Sequence, residues 1–381
     1  NYKMIKTWSF VEEYKYFRKK ILNSIDKTLK SGELFFGKQL EQFEKNFLKY
    51  NKFKYGIAVG SGTDALLIAL KTLGVGDNKN DEVITVSNTA IPTVSAIKSA
   101  GAKAVFVDIG NDYLIDVNKI QKYISKNTKA IIPVHLYGQS CDIEKICKIA
   151  KKNNLKVIED CAQAQGAKFN NKYVGSFGDI GCFSFYPTKI LGAYGDGGFI
   201  STNSIKLFQK ARRIRFYGIE QLINKNKFFK KYYANEHGVN SRLDEVQAAI
   251  LNIKLKHVKS YINKRKKLAK LYSQELSNTS LKLPIEKRNC QHVFHLYTVY
   301  HPKRDLIIKK LKQKNIQIKI YYPFPIHKMI AYKSMSKKKN LYLPITEKMS
   351  KGIFSLPLYP TLKHSEVYKF AKILKYIVKS V

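Results

Sequence analysis

Tyr55-Gly56-Ile57-Ala58-Val59-Gly60-Ser61-Gly62-Thr63-Asp64-Ala65 begins as a short buried strand and turns, through small residues, into a helical pattern reaching Leu73. A strand that feeds a helix within so few residues is half of a β-α-β unit. The alternation continues outward from it. Residues 82–86, 104–107, 130–134 and 156–158 are further apolar runs. Helical patterns separate them, such as residues 143–153, where Ile146, Ile149 and Ala150 share one face. This repetition predicts an α/β protein with a largely parallel sheet covered by helices on both faces. Ligands of such sheets bind beyond the carboxyl ends of the strands.

Residues 180–202 break the alternation. Ile180-Gly181-Cys182-Phe183-Ser184-Phe185 is strand-like, and Gly192, Gly195, Gly197 and Gly198 then crowd together before Phe199-Ile200-Ser201-Thr202. Glycines this dense permit tight turns and close backbone approach to a bound group. Residues 243–270 read as one long helix leading to a second unit. Short strands are expected at 293–300 and 317–321. The expected division is a large domain with its N-terminal segment over 1–250, then a bridging helix and small domain over 251–381.

Composition removes several classes. Of 381 residues, 44% are hydrophobic and 25% charged, which excludes a disordered or collagen-like chain. No run of eighteen apolar residues offers a membrane span, and Asn1-Tyr2-Lys3-Met4-Ile5-Lys6 lacks a signal-peptide core. A cytoplasmic protein is expected. The charge is extreme, 69 basic residues against 28 acidic, a net +41. Nucleic-acid binding would use such charge, but only eight of the basic residues are Arg, the fork that reads phosphate and guanine. Lysines scattered beside many Asn and Ile read as compositional bias, and no nucleic-acid partner is expected. Residues 224–233, Asn-Lys-Asn-Lys-Phe-Phe-Lys-Lys-Tyr-Tyr, read as a solvated basic-aromatic loop. Five cysteines without a Cys-x-x-Cys pair suit reduced thiols, and no metal site is expected.

Four pieces carry chemistry. Gly60 to Ala65 places Gly62 and Thr63 at a helix N-terminus, where free amides favour phosphate; small residues there also serve as plain caps. Glu159-Asp160 follows an apolar strand, with Gln163 three residues on, at the edge where ligands bind; a helix cap would look the same. Lys189 lies between Ser184-Phe185-Tyr186-Pro187-Thr188 and the glycine cluster. A lysine in an apolar pocket has a lowered pKa and attacks carbonyls, whereas most lysines are solvated surface amines. Gly238-Val239-Asn240-Ser241-Arg242-Leu243-Asp244-Glu245 is a polar turn entering a helix.

Together these stretches resemble the DegT/DnrJ/EryC1/StrS family of sugar aminotransferases. Pro133 to Gly138, Glu159 to Gln163, Phe183 to Gly198, Gly238 to Ala249 and Tyr322-Pro323-Phe324-Pro325-Ile326-His327 also match it in order, across nearly the whole chain. The resemblance implies the type I, aspartate aminotransferase-like fold, with a mainly parallel seven-stranded sheet and a smaller C-terminal α/β domain. It implies pyridoxal 5'-phosphate as cofactor. Lys189 would bond to it covalently, Asp160 would face its ring nitrogen and Gln163 its ring hydroxyl. Gly62, Thr63 and Ser184 would hold its phosphate. Asn240 would reach the phosphate of a second subunit, so a homodimer with shared sites is implied. His135, Tyr186 and His327 match positions near the substrate.

Two departures stand out. Ala90 occupies a position where the family commonly has an aromatic residue stacked on the cofactor, and Tyr217 stands where many relatives carry histidine. The tract from Phe185 to Asp196 resembles the branch that aminates carbon 3 of a sugar. The implied reaction moves an amino group, with glutamate as expected donor, to a dTDP-3-keto-6-deoxyhexose. A 4-keto-6-deoxy sugar nucleotide is the alternative acceptor, and a non-catalytic basic binding protein the alternative of another class.

Overall fold

In the computed structural model, residues 5–220, 232–335 and 341–381 are described. Most of the basic-aromatic stretch, residues 224–231, lies outside them. The chain forms an α/β structure around one seven-stranded sheet. Its strands are β1 (Tyr55–Val59), β2 (Glu82–Val86), β3 (Lys103–Val107), β4 (Thr128–Ile131), β5 (Lys156–Asp160), β6 (Ile180–Ser184) and β7 (Gly198–Thr202). The spatial order is β1-β7-β6-β5-β4-β2-β3, and only β7 runs against the others.

Side chains alternate between the faces of this sheet, so the near-continuous apolar runs serve two cores. Ile57, Val59, Val83, Phe106, Ile158 and Ile180 point to one core, beneath the helices Gly62–Thr72, Ile91–Ser99 and Ile205–Ile214. On the opposite face Ala58, Phe183 and Phe199 meet Phe43 and Phe47 of helix Lys38–Asn51. Edge-to-face ring contacts such as Phe47–Phe183, 5.4 Å between centroids, fill that layer.

The long helix expected over 243–270 is two helices, Glu245–Leu255 and Val258–Leu276. No glycine or proline breaks it. The chain turns where it changes partners. The first helix packs on Lys38–Asn51 and on Val11–Ser31, while the second packs on the C-terminal helix His364–Lys379. Leu268, Tyr272 and Leu276 of the second helix enter a separate core with Tyr297, Phe354, Phe370 and Leu374.

In this C-terminal part, Tyr297–Tyr300 and Ile353–Leu356 pair as a two-stranded antiparallel sheet. The strand expected at 317–321 is not one. The segment makes a single bridge, Lys319 to Ser355, and beside it Ile316 bridges Ile5. The N-terminal segment is stitched there. Thr7 Oγ1 donates to the Gln317 carbonyl at 2.8 Å, and the Gln317 amide donates to the Ile5 carbonyl at 3.0 Å. Among the described residues, no helix is long and apolar enough to cross a membrane.

Candidate active site

A cavity of about 570 Å³ opens at the carboxyl ends of β1, β5 and β6, where parallel strands release their loops. Its floor comes from the first strand-to-helix turns, and its far wall from residues 295–296, 317–322 and 356–358.

β1 ends at Val59, and Ser61 caps the following helix, its Oγ accepting from the Asp64 amide at 3.1 Å. The amides of Gly62 and Thr63 belong to the first turn, which no intrahelical carbonyl can satisfy. Gly62 is required by a close approach: a Cβ there would lie 2.6 Å from Ser184 Cβ. Ser184, the last residue of β6, packs directly against the same turn. Small side chains and free amides thus form an anion cup.

Asp160 is the last residue of β5 and is buried. Thr93 Oγ1 donates to one carboxylate oxygen at 2.8 Å, and the Ala162 amide to the other at 3.1 Å. Those bonds, Lys189 and His135 favour the ionised form, yet burial outweighs them and pushes the carboxyl up from its ordinary value. One donor per oxygen leaves a buried carboxylate short of partners, and it lines the cavity.

Lys189 follows the turn after β6, its amide donating to the Tyr186 carbonyl at 2.8 Å. Half-buried, it opens onto the cavity, and burial lowers its amine to about 8 against the pull of Asp160. A sizeable fraction is therefore neutral, and nucleophilic, near pH 8. Gln163 is fixed from both ends: its Oε1 accepts from the Tyr137 amide at 2.8 Å and its Nε2 donates to Tyr322 Oη at 2.9 Å.

Gly62, Thr63, Asp160, Gln163, Ser184, Tyr186 and Lys189 thus line one cavity. The structure does not bring His135 or His327 to it. His135 is fully buried; its Nε2 donates to Glu159 Oε2 at 3.0 Å and its Nδ1 accepts from the Cys141 amide at 3.0 Å. Glu159 also accepts from the amides of Gly175, Phe177 and Gly178, so the pair holds a loop. The Nδ1 of His327 bonds Ser87 Oγ at 2.7 Å and its Nε2 bonds Glu347 at 3.1 Å. Both histidines are fully engaged in packing the protein together. Asn240 does not line the cavity either; it is exposed and bridges Phe216.

Sequence reading missed Thr93, Trp8, His295 and Lys319, all in the cavity wall. Thr93 sits four residues after Thr89, whose hydroxyl lies 3.0 Å away, and only the fold reveals that the pair leads to Asp160. Trp8, His295 and Lys319 arrive from segments that carry no recognisable motif. Ala90 lines the cavity as expected from its position, contributing no ring.

The pattern of the DegT/DnrJ/EryC1/StrS aminotransferase family matches residues 15–375. A protein of Micromonospora megalomicea named dTDP-3-amino-3,4,6-trideoxy-alpha-D-glucose transaminase is 42% identical over 363 residues, 94% of each chain. Among solved structures, Streptomyces venezuelae DesV in complex with a ketimine intermediate superposes with a TM-score of 0.94 at 33% identity, covering 100% of both chains. The NtdA protein of Bacillus subtilis with bound cofactor PMP does so at 0.89 and 33% identity, covering 100% of this chain and 86% of its own.

Proposed function

We propose, for a chain that belongs to the DegT/DnrJ/EryC1/StrS aminotransferase family, that the cavity holds pyridoxal 5'-phosphate and that the enzyme moves an amino group from glutamate to carbon 3 of a dTDP-linked 3-keto-6-deoxyhexose. Family membership makes the chain an aminotransferase, not a non-catalytic basic binder. The observation that carries the cofactor reading is Asp160: a buried carboxylate, short of donors, raised by burial and lining the cavity that Lys189 lines. A protonated ring nitrogen would supply the missing cationic donor. Gly62, Thr63 and Ser184 would hold the phosphate, and Gln163 would face the ring hydroxyl.

The bound cofactor supplies a ring that withdraws electrons from the substrate carbon. The Lys189 amine takes the proton from that carbon and returns it, a role suited to a pKa of about 8. Lys319, exposed at the cavity, offers a cation to a diphosphate. The carbon-3 reading rests on the tract around Lys189 and on the name of the Micromonospora relative. The purified protein should absorb in the violet, lose that band to borohydride, and lose it reversibly to glutamate. A panel of keto-sugar nucleotides then decides the acceptor. Faster turnover of a 4-keto sugar replaces the carbon-3 reading, and absence of the violet band after loading removes the cofactor.

The enzyme is further read as a homodimer with shared sites, in a chain divided into a large domain to residue 250 and a small one from 251. Phe36 and Tyr217 are exposed near Asn240, linked to it through Phe216, whose ring lies 5.3 Å from each of theirs. An exposed aromatic patch of this kind suits a two-fold contact. Asn240→Asp would set a negative charge against the partner's phosphate. Inactive Lys189→Ala and Asn240→Asp proteins, mixed and allowed to exchange, should regain a sizeable fraction of wild-type activity, since one site of each mixed dimer carries neither lesion. No recovery despite proven exchange would place Asn240 outside the shared site.

A further inference from the structure

His295 is the one buried histidine whose ring makes no hydrogen bond to any described residue. The others are engaged: His135 and His327 through both nitrogens, His301 with Ser280 and the Lys303 amide, His292 with the Phe294 amide. His295 also lines the cavity that Lys189 lines. Its Nδ1 is enclosed without a partner, which leaves Nε2 as the nitrogen available to the cavity.

The protein holds this ring in place with some effort. Arg265, itself buried, donates from Nη1 to the carbonyls of Phe294, His295 and Leu358 at 3.3, 3.2 and 2.9 Å. Phe294 adopts a left-handed φ of 48° immediately before it. Gly138, at φ 103°, lets the segment approach: a Cβ there would lie 2.9 Å from the His295 amide nitrogen. A buried imidazole without partners is unfavourable by itself, so such bracing points to a ligand that completes it.

The ring is neutral. Burial, then the charges of Lys189 and Arg265, hold it well below the ordinary histidine value. An enclosed lone pair is a smaller penalty than an enclosed N–H, which puts the hydrogen on Nε2. His295 therefore offers the cavity a fixed, uncharged donor.

We propose that His295 donates this hydrogen bond to the oxygen of the substrate carbonyl at the carbon that exchanges its amino group. The inference rests on the transamination reading, but not on which sugar is the acceptor. An aminotransferase receives two different substrates in one cavity by turns. A rigid group beside Lys189 meets what they have in common, and that is the reacting carbonyl. As nitrogen adds to this carbon, the oxygen gains negative charge. It then departs as water with the two hydrogens the nitrogen gives up, while the C–O bond breaks and a C–N bond takes its place. The reverse half-reaction retraces these steps. The imidazole neither gains nor loses a proton overall; it stabilises the charged oxygen.

The test uses holoenzyme in single turnovers, with glutamate followed by release of its keto acid in a coupled assay and, separately, with the accepted keto sugar followed by the cofactor's absorbance. His295→Phe keeps bulk and loses the donor; His295→Gln keeps an N–H. The phenylalanine variant should slow both half-reactions about 100-fold, with cofactor still bound, and the glutamine variant should recover most of the rate. Exchange of the glutamate α-hydrogen with D2O needs Lys189 but no carbonyl oxygen, so it should continue at the unmodified rate. Exchange that falls in step with product release would overturn the proposal and make His295 a packing residue. So would unchanged half-reactions, or slowing with one substrate alone. If His295→Phe does not fold, His295→Met serves the same comparison. Failure of the sugar reading would leave the glutamate half-reaction intact in unmodified protein, and failure of transamination would abolish it there, so each is separable from failure at His295.

Discussion

Lys189→Ala should lower transamination by at least about 10⁴-fold, to the background of the assay, while the protein remains folded. On the proposed reading two functions would disappear together: the covalent link to the cofactor and the base that moves the proton at the substrate carbon. The amine lines the cavity, and burial brings it to about 8. Because the free amine reacts, capture of added pyridoxal phosphate by cofactor-free wild-type protein should quicken as pH rises through 8 and then level off. The variant should bind cofactor without that pH dependence and without a borohydride-sensitive band. Circular dichroism and the melting temperature check folding. Turnover well above background in the purified variant would remove Lys189 from the mechanism.

Asp160→Asn should cost about 10²–10³-fold in turnover even at saturating cofactor, because a neutral amide no longer holds the ring nitrogen protonated. Stability should move the other way. A carboxyl whose folded-state pKa lies above its unfolded value binds its proton more tightly in the folded protein. It favours folding at low pH and works against it as pH climbs from the unfolded value through the raised folded one. Above that window the cofactor-free wild type therefore carries the whole cost of ionising a buried carboxyl. Asparagine removes the charge and can keep bonds to Thr93 and the Ala162 amide. The melting temperature of cofactor-free Asp160→Asn should equal or exceed that of wild type, and loading should raise it less. A variant with near-wild-type turnover would refute the pairing. A destabilised one would show that the carboxylate is needed for the fold.

Most strands of the central sheet were readable to within one or two residues, because buried parallel strands are short, apolar and bounded by turn residues, but β4 lies at Thr128–Ile131 where the apolar run is 130–134. β1 and β2 fall where the apolar runs lie. Asp160 and Lys189 stood out for a related reason: one is the last residue of a strand of that sheet, and the other lies in the loop that follows another. What escaped was everything decided by distant contact. Nothing around Lys256 and His257 marks a break, since the helix ends where its packing partner changes. His135 and His327 carry the right residue type in matching stretches, yet Glu159, Ser87 and Glu347 occupy their nitrogens. His295 sits among Gln291-His292-Val293-Phe294, with no local cue to separate it from His292. Partner availability, not residue type, distinguishes these histidines, and it belongs to the tertiary structure.

The stitch between Thr7 and Gln317 joins residues 310 positions apart, and it bears on how the protein is made. Gly62, Asp160, Ser184 and Lys189 all leave the ribosome well before Gln317 and Leu358, which complete the wall. At 5–20 residues per second, the interval from Lys189 to Leu358 lasts roughly 10–30 s. Once β7 has joined β1 to β6, the growing chain can hold its lysine beside the anion cup with no far wall. The cup and the lysine are therefore made before the wall that closes the cavity, so the proposed cofactor site and the finished substrate cavity are separable in time.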